Sequence, residues 1–588
     1  IFTLMAATGS TFTYSQAPTL EEVIVVAQKR EENMMDVPVA LTAVSPNDLN
    51  VFGVRDTTEL TKLSPSLSYD QTGLSQNSGF RIRGIGTVVY STTAESAVAV
   101  IVDDVATTQS GQALADLTDI ERVEILRGPQ STLFGRNASA GVINVITKRP
   151  TLEFEAGAEL TLTDDNQEKV SAWLSGPVTD TMGYRVSGYY DDIEGWVENL
   201  NVAGDTNGSR SWGINSRLDW QASDAVSLRL QAKYDDSTSE CCSGSIKYLE
   251  DPDTAAVLVF LPLIEVAPEI LPFVGDDNTT ITVDDLVKVD SESLQLSFKA
   301  EWDVLDHSLV SITAYNDWML DEFNELDNTS FPVLDYPFGT GTIADPSGSG
   351  RDTFTIASNR GVVQFNQLEV DFFSQEFRLL SPTTDWGNYI AGLYYSKMED
   401  SRRFDRYVPG LGVAAGLDGH NEDSNKSSAL SAFGQMTINL GDRSRFTAGA
   451  RYQYEEIEVD QTEIDFYGDS PDISASYDDD DTIFIGNIAF QYDVSESGML
   501  FARYARGHKG QFFDAAADSF FDGELEPVKP EKSDAFEVGS KAEGREHRLR
   551  LELVGFDTLD DAYQAQQTTV AESGAREFTT DNVGALET

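Results

Sequence analysis

Long stretches of strict period-2 alternation constrain this chain more than any other feature. Val226, Leu228, Leu230, Ala232 and Tyr234 alternate with Ser227, Arg229, Gln231, Lys233 and Asp235. Leu294, Leu296, Phe298, Ala300 and Trp302 alternate with Ser293, Gln295, Ser297, Lys299 and Glu301. The pattern returns at Phe446, Ala448, Ala450, Tyr452 and Tyr454, set against Arg445, Thr447, Arg451 and Gln453. Ribbons of this kind are strands with one face on lipid or core and the other on water.

The links between ribbons decide between those two settings. Short links are read at 178–182, 222–225, 303–306, 382–387, 441–444, 494–498 and 543–546. Between them lie long links at 193–210, 236–290, 323–364, 402–426, 461–480 and 509–531. In an antiparallel meander alternate links lie at the same end, so one rim is tight and the other heavily looped. That asymmetry marks an outer-membrane barrel, with short periplasmic turns and long outside loops. Only a closed sheet satisfies every backbone N–H and C=O inside a bilayer. About sixteen strands are read between residues 152 and 588, and an open sheet of that size would leave two unpaired edges in lipid. The expectation is a transmembrane antiparallel β-barrel whose C-terminal strands are missing.

Charge and composition exclude other classes. The chain has 588 residues, 98 acidic and 41 basic side chains, and a formal net charge of −57. Phosphate binding needs a cationic face, so no nucleic-acid partner is expected. Two cysteines cannot build a disulfide scaffold or a cysteine zinc framework. The four histidines, His307, His420, His508 and His547, form no HExxH or HxH pair. The most apolar stretch, 255–274, is broken by Pro262, Glu265, Pro268, Glu269 and Pro272 and reads as loop rather than a spanning helix. No metal site, cofactor or catalytic set is expected: no nucleophile–base–acid arrangement is visible, and Asp103-Asp104 reads as a turn pair. Residues 477–481, Tyr-Asp-Asp-Asp-Asp, could hold Ca²⁺ or Mg²⁺ but read first as a solvated loop. Cys241-Cys242 could form a vicinal disulfide or stay reduced.

The acidity belongs to one part of the chain. Residues 1–150 carry a net of −5 and residues 151–588 a net of −52. The first part has a mixed α/β grammar, with short helices at 45–51 and 57–63 and strands at 98–102, 120–126 and 141–147. The apolar start and Ser15-Gln16-Ala17 read as a signal-peptide remnant over 1–17.

Glu121-Arg122-Val123-Glu124-Ile125-Leu126-Arg127-Gly128-Pro129-Gln130-Ser131-Thr132-Leu133-Phe134-Gly135, continued by Arg136-Asn137-Ala138-Ser139-Ala140-Gly141-Val142-Ile143-Asn144-Val145-Ile146-Thr147-Lys148, closely resembles the plug domain of TonB-dependent outer-membrane receptors. Phe80-Arg81-Ile82-Arg83-Gly84-Ile85-Gly86 resembles the plug's arginine–glycine turn. Val100-Ile101-Val102-Asp103-Asp104-Val105 resembles its central strand, with Asp104 replacing the usual glycine. Glu21-Glu22-Val23-Ile24-Val25-Val26-Ala27 looks like a TonB box. Ser374-Gln375-Glu376-Phe377-Arg378-Leu379, the run from Tyr504 to Lys509, and Phe536-Glu537-Val538-Gly539 fit the family's barrel.

The resemblance implies a plug over 35–150 in the lumen of a barrel over 151–588, with the TonB box and linker at 18–34. Family barrels have 22 strands and a plugged lumen, so the resemblance implies that roughly six are absent. It implies an ionic latch, with Arg83 and Arg127 on the plug (Arg81 competing with Arg83) and Glu376 and Glu537 on the barrel. Gly84, Gly128, Pro129, Gly135 and Gly141 would shape the plug's turns. The TonB box could accept a strand from another chain by main-chain pairing, or be simply a plug strand. The implied function is active import of a ferric siderophore, with an oligosaccharide or vitamin-like cofactor as alternative cargo and a passive plugged pore as alternative mechanism. The implied partners are TonB with ExbB and ExbD, the nutrient ligand, and outer-membrane lipid and lipopolysaccharide.

Overall fold

The computed structural model describes residues 23–72, 75–87, 89, 91–109, 111–113, 116–164, 166–201, 204–240, 243–245, 247, 275–283, 286–325, 341–343, 354–356, 363–407, 419–463, 473–514, 526–544, 549–570 and 576–588. The signal-peptide reading at 1–17, Glu21, Glu22, Cys241 and Cys242 lie outside the described residues.

Sixteen strands form one antiparallel sheet, from Glu155–Leu162 to Ala585–Glu587. Each pairs with the strand before and after it in the sheet's order, as Lys288–Val304 pairs with His307–Glu325 and that with Val363–Leu380. Within the described residues the sheet does not close on itself, and Glu155–Leu162 is an edge. One rim carries the tight turns, such as Leu305-Asp306 between His307–Glu325 and its predecessor, both residues at positive φ.

The alternation decides which face is which. Gln231 is buried on the inner face, where it donates to Asp103 Oδ2 at 2.7 Å, while Leu230 beside it is 54% exposed. Leu393, Leu430, Phe484 and Leu553 are exposed along the outer face, and Arg217, Gln453, Arg503 and Lys541 are buried along the inner one. A soluble protein does not expose an apolar belt of that extent. Lipid is the solvent outside, and a polar lumen is the environment within.

Two links are shorter than the sequence implied. The strands Gly387–Tyr407 and Gly419–Asn439 run past Arg402 and Lys426, and Ser444–Glu463 and Ile473–Ser495 leave only 464–472 between them. The acidic run 477–481 therefore lies on a strand rather than in a loop, with Asp478 and Asp480 exposed and Asp479 and Asp481 half-buried. Main-chain pairing with Ser444–Glu463 holds that run extended despite its charge. Among the described residues no three His, Cys, Asp or Glu converge as metal ligands.

The lumen holds a five-stranded mixed sheet in the spatial order Leu41–Val44, Ile120–Arg127, Gly141–Thr147, Val98–Val102, Val105–Ala106. The parallel pair is Gly141–Thr147 with Val98–Val102, whose apolar residues are buried on both faces. The helix Pro46–Phe52 starts on a Ser45–Asp48 capping box with proline in its first turn and ends at Gly53 in the left-handed region. The second expected helix is a 3₁₀ turn, Thr58–Lys62. One face of the sheet packs Val44, Leu60, Ile82, Val100, Ile125 and Ile143. The other packs Leu41, Ile101, Leu126 and Val142 against Val25, Ala27, Met34 and Val37 from the N-terminal segment.

Candidate functional site

The plug has an apolar core of its own, yet it meets the barrel wall through charge. Arg83, at φ +56 in the turn after Gly79–Ile82, puts Nη1 2.6 Å from Glu537 Oε1. Arg503 on the neighbouring strand reaches the other carboxylate oxygen at 3.3 Å and donates to the Pro129 carbonyl at 2.6 Å. Glu537 is thus shared by one plug and one wall guanidinium, in a site almost sealed from solvent. Arg81 turns away to pair with Asp70 inside the plug.

Of the other two residues expected in the latch, Arg127 is placed elsewhere, whereas Glu376 does hold the plug side from the wall but through Lys29 rather than through an arginine of the plug. Arg127 donates to Ser66 Oγ at 2.9 Å and to Thr42 Oγ1, bracing the plug internally. Glu376 accepts from Lys29 Nζ at 3.0 and 2.8 Å and is met by Arg378 Nε at 2.5 Å. Arg378 in turn reaches Asp104 at 2.8 Å, and Lys299 reaches the same carboxylate at 3.1 Å. Burial pushes the Asp104 carboxyl up, but Lys299 and Arg378 outweigh it and hold it well below the ordinary range. Further round the wall, Arg185 pairs with Asp119 at 2.5 Å, Lys169 pairs with Asp116, and Arg136 of the plug donates to Ser427 at 2.7 Å.

Three of the four plug glycines lie at close approaches. Gly128 sits at φ +74, and a β-carbon there would meet the Arg83–Glu537 pair. One on Gly135 would lie 2.9 Å from Arg451 Nη2, and one on Gly141 2.4 Å from the Leu126 carbonyl oxygen. Gly84 has φ +83 and open space around it. From the wall, Gly507 faces the plug: a β-carbon there would lie 2.8 Å from Ser139 Cα and 3.0 Å from Pro129 Cβ. The short helix Ser131–Phe134 fits beside it, with Leu133 packed on Ile390 and Phe433.

The described part of the expected TonB box is folded back rather than free. Ile24–Val25 pairs antiparallel with Glu32–Asn33, and Val25 and Ala27 are buried against the plug sheet. Val26 N–H donates to Glu124 Oε1 at 2.8 Å. The hairpin tip is pinned to the wall: Lys29 by Glu376, Gln28 by Gln435 at 3.0 Å, and Arg30 by the Ser381 and Tyr389 carbonyls at 2.9 and 3.2 Å. Burial lowers the Lys29 amine to about 8, with Glu376 opposing. Burial likewise raises the Glu32 carboxyl to about 7, with Arg30 opposing. A cavity of about 350 Å³ opens beside this tip, lined by Lys29, Asp103, Asp104, Arg122, Lys299 and Arg378.

Sequence reasoning missed Lys29, Asp104 and Arg378 as plug–wall contacts. Asp104 carried a signal, an acidic side chain where the plug pattern has glycine. Lys29 carried none, because its partner lies 347 residues away.

Comparison with known proteins agrees with this architecture. The family model described as TonB dependent receptor-like, beta-barrel, matches residues 270–588, and the one described as TonB-dependent Receptor Plug Domain matches residues 33–142. An iron-regulated outer membrane virulence protein of Vibrio cholerae serotype O1 is 28% identical over 247 residues, 38% of this chain and 35% of that protein. The pesticin receptor of Yersinia pestis is 30% identical over 165 residues, 28% of this chain and 24% of that protein. The matched segments thus span about a third or less of these relatives' own length. Among solved structures, the ferric yersiniabactin uptake receptor FyuA of Yersinia pestis superposes with a TM-score of 0.72 at 18% identity, covering 94% of this chain and 74% of that one. The ferric-catecholate import receptor Fiu of E. coli K12, closed form, gives 0.70 at 14% identity, covering 97% and 79%.

Proposed function

Because this chain belongs to the TonB-dependent receptors, with barrel and plug models both matched, we propose that it imports a ferric siderophore across the outer membrane under force delivered by TonB. It is an outer-membrane receptor of a Gram-negative cell. The observation that carries the reading is a plug held in a polar lumen by a ring of ion pairs, some open to water such as Asp104–Lys299, with apolar contact confined to small patches such as Leu133 on Ile390 and Phe433. Such contacts hold position yet can be re-paired with water during movement, whereas interdigitated apolar packing resists sliding. Three of the four proteins named above carry iron in their names, as an iron-regulated outer membrane protein, a ferric yersiniabactin uptake receptor and a ferric-catecholate import receptor, which favours a ferric chelate over an oligosaccharide or vitamin-like cargo.

In this reading Glu21, Glu22, Val23, Ile24, Val25, Val26 and Ala27 are the handle for TonB, energised through ExbB and ExbD. Main-chain pairing of Ile24–Val25 with Glu32–Asn33 holds a strand that could instead pair with a partner chain once released. The reading assigns the protein no covalent chemistry.

Deleting residues 21–27 tests it. Uptake of radiolabelled iron, offered as a panel of hydroxamate, catecholate and phenolate chelates, should vanish while surface binding persists. Unchanged uptake would instead make the protein a passive plugged pore. Growth of a deletion strain on glycans but not on iron chelates would move the cargo to oligosaccharides.

A further inference from the structure

The plug's ion pairs with the wall are unequally sealed. The side chains of Arg83 and Glu537 are 4% and 1% exposed, and those of Arg185 and Asp119 5% and 3%. Asp104 is 26% exposed and Lys299 17%. A half-open pair trades its partner for water at small cost, whereas separating a sealed pair strands a buried charge. The Asp104–Lys299 contact is therefore easier to release than either sealed pair; Asp36–Arg445, at 56% and 25% exposed, is more open still but does not border the cavity.

Three observations give that position a role. Asp104 lines the cavity of about 350 Å³, whose other walls include Asp103, Arg122, Lys299 and Arg378. It is held at φ +72, a conformation that costs an aspartate more than a glycine. Through Arg378 it is joined to Glu376, which holds Lys29 at the hairpin tip. A continuous chain of charges, Lys29–Glu376–Arg378–Asp104–Lys299, thus runs from the hairpin across the wall to the plug's central turn.

We propose that the Asp103-Asp104 turn is the door of the cargo route, that cargo leaves through the polar cavity between this turn and the strands Lys288–Val304 and Val363–Leu380, and that withdrawal of Lys29 unlatches it. This rests on the import reading above. When Lys29 leaves, Glu376 keeps Arg378 as its cationic partner and draws the guanidinium from Asp104. Asp104 is then held by Lys299 alone, in a half-open pair. The charged lining suits a hydrated polar complex rather than an apolar cargo.

The test uses the full-length receptor in cells with Cys241→Ser and Cys242→Ser as background. One form adds Asp104→Cys with Lys299→Cys, and a second adds Asp116→Cys with Lys169→Cys on another part of the wall. Each is bridged by a short reducible bis-methanethiosulfonate and compared with its own reduced state, using the iron-chelate panel. Bridging 104 to 299 should drop uptake to the TonB-independent background without loss of surface binding, and reductant should restore it. Bridging 116 to 169 should leave uptake as in its reduced state. Uptake that survives the first bridge, or is blocked equally by both, overturns the door.

A cargo-free readout separates this from the import reading. Asp104→Gly relaxes the backbone and removes the contact, so vancomycin influx should rise by up to roughly fivefold, the upper end of what a half-open pair is worth. Import failing in the parent while influx still depends on residue 104 would retire the import reading and leave the door standing. Influx unchanged by Asp104→Gly would count against the door whatever the cargo.

Discussion

Gly128 stands directly behind the Arg83–Glu537 pair: a β-carbon on it would lie 3.0 Å from Glu537 Oε1 and 3.3 Å from Arg83 Nη1. Two demands meet at one residue, a left-handed backbone and room for a sealed ion pair. Gly128→Ala should cost more than the about 1–2 kcal/mol of the backbone conformation alone. Gly53→Ala, at φ +62 with nothing within 4 Å, should cost only that strain. Thermal unfolding of the two variants in detergent gives the comparison, and equal losses would mean the ion pair tolerates the methyl.

Glu537→Gln leaves two guanidiniums, Arg83 and Arg503, without their carboxylate in a sealed site. The expected loss is about 3–5 kcal/mol, the cost of breaking a buried pair from one side. Glu376→Gln should lose less, since Arg378 retains Asp104 and the Lys29 amine, already lowered to about 8, can shed its proton. Urea unfolding monitored on the plug, with an Arg83→Met/Glu537→Gln cycle, measures the coupling. A cycle that closes to zero would show that the two residues stabilise the plug independently.

Hairpin docking should depend on pH with a shallow minimum. The docked Glu32 carboxyl, at about 7 against an ordinary 4.5, holds a proton that the free hairpin releases, so its contribution is complete below 4.5 and is lost as pH rises through 7. The docked Lys29 amine, at about 8 against 10.5, gives up its proton earlier than the free one, so docking gains again between 8 and 10.5. Docking is therefore weakest between about 7 and 8. Hydrogen exchange at Ile24 and Val25 across pH 5–10, corrected for intrinsic rates, should show fastest opening there, and Glu32→Gln should flatten the acid side. A protection profile flat in the parent would remove both groups from the account.

Leu393 lies on the outer face, 56% exposed, six residues into the strand Gly387–Tyr407. Leu393→Arg should destabilise the receptor by about 2–4 kcal/mol, the cost of a cation near the bilayer midplane. Refolding into lipid vesicles at increasing denaturant would measure it. A neutral result would place this face away from hydrocarbon.

The barrel was legible because its strands alternate so regularly: Leu230 outside and Gln231 inside follow from two adjacent letters. Arg83 and Glu537 were legible through their motifs, and the structure joins them. Arg127 sits in an equally specific motif, yet its guanidinium turns back to Ser66 and Thr42, a choice made by which oxygens the folded plug places nearby. Lys29 belongs to no motif, yet it is a buried anchor. Nothing local distinguishes those cases, since the deciding partner lies on a strand hundreds of residues on. The acidic run at 477–481 misled for a related reason: composition argued loop, while the neighbouring strand supplied the hydrogen bonds that keep it in the sheet.

Gly507 has a consequence for how such receptors can be recombined. The wall gives up a side chain where the plug's Pro129 and Ser139 press against it, so plug and cylinder are cut to each other at that point. This plug could not be moved as a cassette into a host whose wall bears even a methyl group there, and shuffled chimeras would have to carry the position with the plug.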